Sequence, residues 1–274
     1  MDEQRFLNAC GMRDRGNLKQ ALAEFSNLSE NTEDPIDKAG VVLNLATTLK
    51  ALGEYDRAGR QLDRARALIG SVENSSFATQ RDSRLAQVHA ALDFEEADLC
   101  RHQGQNDEAL SKFNAFLNRH RQTLSSPDFQ GLYEVTQARR AFLLADLGRC
   151  REALPILEEA QSFEELKERI AFYLGHCYVC AHKYEKAKPL LAEALKLGLP
   201  RNLEYRAHYS LGIAYLALGG YAQAKAEFEK TAEIADTAYL QDGQVWRGLE
   251  ISCRKLGLID EAERYAQMAK ASGA

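Results

Sequence analysis

One short pattern returns along nearly the whole of this chain and leaves few folds open. Its clearest copy reads Leu211-Gly212-x-x-Tyr215, then Gly219-x-Tyr221-x-x-Ala224, Phe228 and Ala232. The other copies turn at Gly16, Gly53, Gly104, Gly148, His182 and Gly257, with Ala21, Ala58, Ala109, Ala153, Ala187 and Ala262 five residues after each. Three residues before each alanine stands a bulky residue in most copies, such as Tyr55 or Tyr184. Four residues after it stands a larger apolar one: Phe25, Leu62, Phe113, Leu157, Leu191 and Phe228, with Ala266 in the last copy. Apolar residues at i, i+3, i+4 and i+7 make one helical stripe, so each copy reads as two helices around a turn. A glycine at the turn ends the first helix in a left-handed conformation that satisfies its last carbonyls. The alanine lets two helix backbones come close. Such a unit buries its apolar face only against neighbouring units, so the pattern predicts an all-α solenoid of about fourteen helices.

The turns are separated by 37, 51, 44, 34, 37 and 38 residues. The two long spacings place extra chain at Ile69 to Val88 and at Asn118 to Gly131. Gly70-Ser71-Val72-Glu73-Asn74-Ser75-Ser76 reads as a polar loop before a long helix. Ser126-Pro127 and Asp34-Pro35 read as an N-cap followed by proline at the first helical position. Gly198-x-Pro200 closes another helix.

These residues resemble the tetratricopeptide repeat (TPR) family over roughly Glu3 to Lys270. The resemblance implies a single right-handed superhelix with units near 2–35, 39–72, 90–123, 134–167, 168–201, 205–238 and 243–274. It also implies a concave groove lined by the first helix of each unit, which holds a segment of another protein. The expected function is a non-enzymatic interaction scaffold or adaptor. The alternatives are a regulatory sensor that responds to a peptide or ligand, and a metal-binding or enzymatic protein.

The family register puts Asn44, Lys50, Glu95 and Asp98 on the groove in the first units, and Asn44 matches an asparagine that other members use to hold a peptide backbone. In the later units it gives Arg139, Arg169, Phe172, Tyr173, His176, Arg206, Tyr209, Arg247 and Arg254. This second set is basic and aromatic, with Asp146 the one acid near it. Arginine forks suit carboxylates, and Tyr and Arg make good interface anchors, so the expected partner is a protein or peptide with an acidic segment. The competing reading pairs these arginines with acids of adjacent helices, such as Glu168, Glu204 or Asp242. The ninth positions (Cys10, Thr47, Asp98, Phe142, His176, Ile213, Ile251) do not reproduce the carboxylate clamp of chaperone-binding members.

Composition excludes little else. A net charge of −5 argues against generic nucleic-acid binding, which relies on clustered positive charge. No apolar run nears the roughly 18 residues of a membrane span. Met1-Asp2-Glu3-Gln4-Arg5 lacks the basic start of a secretory signal, and six scattered cysteines do not form a dense disulfide framework. The expectation is a cytoplasmic chain with reduced thiols and no membrane association.

No phosphate loop, nucleophile elbow or HExxH motif is present. Acid pairs such as Glu95-Glu96 and Glu158-Glu159 read as solvated helix faces. Cys177-x-x-Cys180, beside His176 and His182, is the one tempting metal signal. His176 and Cys180 share a helix face, and Asp146 falls on a neighbouring helix. A second CxxC or a paired HxxxH is absent, so the ligand count falls short of tetrahedral zinc. The sequence therefore predicts no metal and no cofactor.

Overall fold

A computed structural model describes residues 1–73, 82–235 and 243–272. The chain divides into two compact units, Met1–Thr136 and Gln137–Ala274, each described by itself. The first contains α1 (Glu3–Asp14), α2 (Leu18–Asn31), α3 (Pro35–Ala51), α4 (Tyr55–Glu73), α5 (Asp82–His102) and α6 (Asn106–Arg119). A single turn at Arg121–Leu124 and a 3-10 turn at Pro127–Phe129 follow. Helix α7 (Gln130–Asp146) begins in the first unit and ends in the second. The second unit then holds α8 (Cys150–Glu159), α9 (Lys167–Cys180), α10 (Tyr184–Leu197), α11 (Arg201–Ala217), α12 (Tyr221–Ile234), α13 (Gln244–Leu256) and α14 (Ile259–Ala271). No strand occurs among the described residues, and within each unit neighbouring helices pack in chain order.

All the turn positions read from the sequence are left-handed. Gly16, Gly53, Gly104, Gly148, Gly219 and Gly257 have φ between 73° and 80°, and His182 has φ 57°. At each, the N–H of the next residue reaches back to the carbonyl five positions earlier: Glu54 to Leu49 at 2.9 Å, Lys183 to Tyr178 at 2.8 Å, Gly220 to Tyr215 at 2.8 Å. This bond satisfies carbonyls that the helix end would leave orphaned. The second helices α2, α6, α8, α10, α12 and α14 accordingly start without a side-chain cap. Entry to them is set by the end of the preceding helix.

The repeat's small residues are all inside. Ala21, Ala58, Ala109, Ala153, Ala187, Ala224 and Ala262 are at most 1% exposed. Phe25, Leu62, Phe113, Leu157, Leu191 and Phe228 are buried with them. In the last pair the alanine stripe shifts: Tyr265 and Ala269 are buried, and Ala266 is only half-buried. Phe228 shows why glycine stands inside the first helices. A Cβ on Gly212 would lie 2.7 Å from its ring, and one on Gly248 would lie 2.6 Å from it. The ring is therefore clasped between α11 and α13. Gly175 and Leu191 repeat the arrangement one pair earlier, at 2.7 Å.

Two local readings change. Gly70 to Glu73 are not a loop but the last turn of α4; Asn74 to Ser76 lie outside the described residues. The apolar Ile69 and Val72 are buried, so helix burial outweighs the low propensity of Gly70 and Ser71. Ser126-Pro127 opens a 3-10 turn without a side-chain cap bond, and α7 starts only at Gln130. Asp34 does cap α3, accepting from the N–H groups of Ile36 and Asp37 at 3.0 Å each. Gly198, at φ 92°, ends α10 as expected.

Two stability measurements test this packing. Gly212→Ala drives a methyl into Phe228 and should destabilise by about 1–3 kcal/mol, the usual range for overpacking. Gly220→Ala meets the flexible end of Gln223 at 3.2 Å and Tyr215 at 3.4 Å or more, ordinary contacts, and should stay within about 0.5 kcal/mol of the parent. Denaturant midpoints compare them directly. His182→Gly should raise stability by roughly 0.5–1 kcal/mol, because it removes a side chain from left-handed backbone. A lower melting temperature would mean that the 2.6 Å contact between His182 Nδ1 and Tyr184 OH outweighs the backbone gain.

Candidate functional site: the first-helix face of the second unit

Helices α9, α11 and α13 are the first members of their pairs, and they pack side by side: α9 against α11, and α11 against α13. These three helices carry most of the side chains that the register singles out. Arg206, from α11, donates through Nη2 to Asp146 Oδ1 at 2.9 Å. Its guanidinium lies 5.3 Å from the Phe172 ring centre and 5.9 Å from that of Tyr173. Tyr173 OH donates to Asp146 Oδ2 at 2.9 Å, and its ring stacks on Phe142 at 4.4 Å. One carboxylate thus ties the end of α7 to α9 and α11.

Charges in this cluster reinforce one another. Burial pulls the Arg206 pKa down, but Asp146 and the Tyr173 hydroxyl outweigh it and hold the guanidinium charged. Burial, then the negative charge of Asp146, pushes the Tyr173 hydroxyl well above its ordinary value. Tyr173 is therefore a fixed donor at neutral pH. A planar cation over aromatic faces, bonded to a carboxylate, is an arrangement lysine cannot copy.

The remaining expected residues divide by exposure. Phe172 is fully buried and supports the face from beneath. Tyr209 is half-buried, with its ring 5.8 Å from Phe228. Arg139 is half-buried on α7. Arg169 is half-buried too; its buried Nε makes no hydrogen bond among the described residues, and Glu168 lies 3.7 Å away. Arg247 and Arg254 are exposed on α13, and Arg254 pairs with Glu250 at 3.0 Å. Ile251 stands between them, 38% exposed. Arg247, Ile251 and Arg254 follow the i, i+4, i+7 spacing of one helix face. Of the acids considered as internal partners, Asp242 lies outside the described residues.

In the first unit the expected peptide-holding asparagine is already engaged. Asn44 Oδ1 accepts from Arg13 Nη1 at 2.6 Å, and its Nδ2 donates to the Gly40 carbonyl at 2.9 Å. Lys50 Nζ reaches Glu95 at 2.6 Å and Asp98 at 2.5 Å, and Arg101 Nε donates to Asp98 at 2.8 Å. Asp98 is 1% exposed, so this charge cluster is a packed element between α3 and α5.

The cysteine motif acquires a member that the sequence reading missed. Cys150 Sγ, His176 and Cys180 Sγ bring their ligand atoms within 4.8 Å of one another. Cys150 is the first residue of α8, while His176 and Cys180 lie on α9. The turn alignment does place Cys150 where most copies have a bulky apolar residue, and that departure was the available signal. Asp146 does not join, being held by Tyr173 and Arg206, and His182 turns to Tyr184. The set holds three ligand atoms, one short of tetrahedral zinc, and Cys177 is not among them. Hydrogen bonding with Cys177, opposed by Cys180 and reinforced by burial, pushes the Cys150 thiol up to about 11. Hydrogen bonding with Cys150, partly offset by His176, and burial push Cys180 up to about 12. No helix among the described residues is long and apolar enough to cross a membrane.

Arg206→Ala should cost about 1–2 kcal/mol of stability, since it strips a charged hydrogen bond from the exposed Asp146 carboxylate and uncovers two rings. Arg206→Lys should recover less than half of that. Denaturant unfolding of the pair measures both, and equal stability for lysine and arginine would deny the planar stacking any role.

The family model described as tetratricopeptide repeat matches residues 39–64 and 205–230. Those segments run from α3 into α4 and from α11 into α12. No curated protein sequence matches the chain. Among solved structures, MamA from strain MSR-1 is 19% identical, with 68% of this chain and 97% of that one covered at a TM-score of 0.51. MamA from strain AMB-1 is likewise 19% identical, with 68% and 98% covered and a TM-score of 0.51. At this identity the likeness is one of fold. With the motif matched in two helix pairs and the same left-handed turn closing every pair, the chain carries tetratricopeptide repeats at residues 39–64 and 205–230.

Proposed function

We propose that this chain is a non-enzymatic scaffold that holds a segment of another protein on the first-helix face of its second unit. The observation that carries the reading is the exposed stripe of Arg247, Ile251 and Arg254 on α13. Two cations flanking an aliphatic side chain fit a segment with acidic residues around an apolar one. Tyr209, half-buried on the adjoining α11, adds contact area of the amphipathic kind that interfaces favour. The Arg206–Asp146–Tyr173 cluster has a different role here. Its groups are bonded to each other, so it fixes the positions of α7, α9 and α11 and leaves recognition to the more exposed arginines. Net negative charge on the whole chain limits indiscriminate binding of anions.

Selection of a displayed random-peptide library on the purified chain tests this. Acidic sequences with a central aliphatic residue should be enriched, and their binding should weaken as salt rises. Arg247→Glu combined with Ile251→Asp should lower affinity at least ten-fold, about 1.4 kcal/mol. Both residues are exposed, so stability should hold within about 0.5 kcal/mol. Lys196→Glu, exposed on the second helix α10, should leave affinity unchanged. Binding indifferent to the double change but lost with Lys196→Glu would move the site to the second-helix side.

A further inference from the structure

We propose that Cys150, His176 and Cys180 form a zinc(II) site that joins the start of α8 to the last turn of α9. Tetrahedral zinc, with Zn–S of about 2.3 Å and Zn–N of about 2.0 Å, sets its ligand atoms roughly 3.5–3.8 Å apart. His176 Nε2 and Cys180 Sγ are already 3.8 Å apart, on one helix face at i, i+4. The whole set lies within 4.8 Å, so small side-chain rotations complete the geometry. Two thiolates and an imidazole are the donors zinc prefers over magnesium or calcium, which take oxygen.

A supporting contact orients the histidine. Its Nδ1 lies 3.2 Å from Ser210 Oγ on α11. With the proton on Nδ1 donated to that hydroxyl, the Nε2 lone pair points at the cysteines. Outer hydrogen bonds of this kind fix the tautomer and ring plane of metal-binding histidines. The ring also stacks on Phe172, with centres 6.0 Å apart.

Access fits as well. Cys150 is buried and Cys180 is exposed, so the cluster has a closed floor and an open mouth. The open side leaves the fourth position to water. Binding would release two thiol protons to solvent and involves no oxidation.

The test is a cobalt(II) titration of the intact, reduced chain, followed by displacement with zinc(II). The expected result is one cobalt per chain, with the intense visible bands of tetrahedral cobalt and near-ultraviolet thiolate-to-cobalt bands, all removed by one equivalent of zinc. Cys180→Ser, at an exposed position, should keep its helicity by circular dichroism and lose the tetrahedral spectrum. Cys150→Ser should lose it too. Ser210→Ala should weaken zinc binding by roughly 10–100-fold, the usual effect of removing an outer partner. X-ray absorption of the zinc form should show two sulfur neighbours and a histidine nitrogen. Failure to bind one metal per chain, cobalt bound without thiolate bands, or bands that survive in folded Cys180→Ser would each overturn the proposal. Peptide selection, run on metal-free protein, is read separately, so the two proposals stand or fall apart.

Discussion

Each helix pair depends on a single left-handed residue at the end of its first helix. That residue turns the chain so that the next N–H can close on a carbonyl five positions back, as Gly220 does on Tyr215. The closure answers an accounting problem, because the last carbonyls of a helix have no partner within it. It also fixes the angle at which the second helix returns, and so brings Ala224 and its counterparts against the first helix. Only then can Phe228 enter between Gly212 and Gly248. Conformational freedom at one backbone position, and not side-chain capping, decides how the pairs are built. His182 is the informative exception, since the same geometry is held there by a residue that resists it.

Regular pairing has a consequence for charge. It sets the first helices side by side, and long side chains on them then reach neighbours far away in sequence. Arg206 and Asp146 meet in this way, as do Lys50 and Asp98. A half-buried cation with a bonded carboxylate loses little solvation that is not returned by its partner. The same cation turned toward a foreign segment would leave Asp146 with only its Tyr173 hydrogen bond, at some cost. Electrostatics therefore divides the arginines of the second unit. Those bonded inward hold helices together, whereas Arg247 and Arg254 on α13 are exposed, Arg254 beside Glu250.

This division was the part of the site the sequence could not display. Periodicity revealed the turns and the buried alanines because both recur at fixed offsets from one another. It placed Arg206 and Arg247 on equivalent helices, yet said nothing about which of them faces a carboxylate. That depends on Asp146, a single residue at the end of another pair. Asn44 failed to stand free for the same reason: Arg13, one pair earlier, claims its carbonyl. Cys150 escaped notice because it sits 26 and 30 residues from His176 and Cys180, outside any spacing that defines a metal motif. Side chains brought together by stacking leave no local signature.

The cysteine cluster and the proposed recognition face are joined through one histidine. His176 bonds to Ser210 on α11, contacts Cys180, and stacks on Phe172, whose other neighbours are Tyr173 and Arg206. A ligand that fixed the His176 ring would therefore also fix the floor beneath the arginine platform. Because α11 packs against α13, a shift of that floor would reach the helix that carries Ile251 and its flanking arginines. The coupling could be no larger than the difference in metal affinity between the two arrangements of the face. Measured in the reverse direction, a bound segment would have to change metal affinity by the same factor.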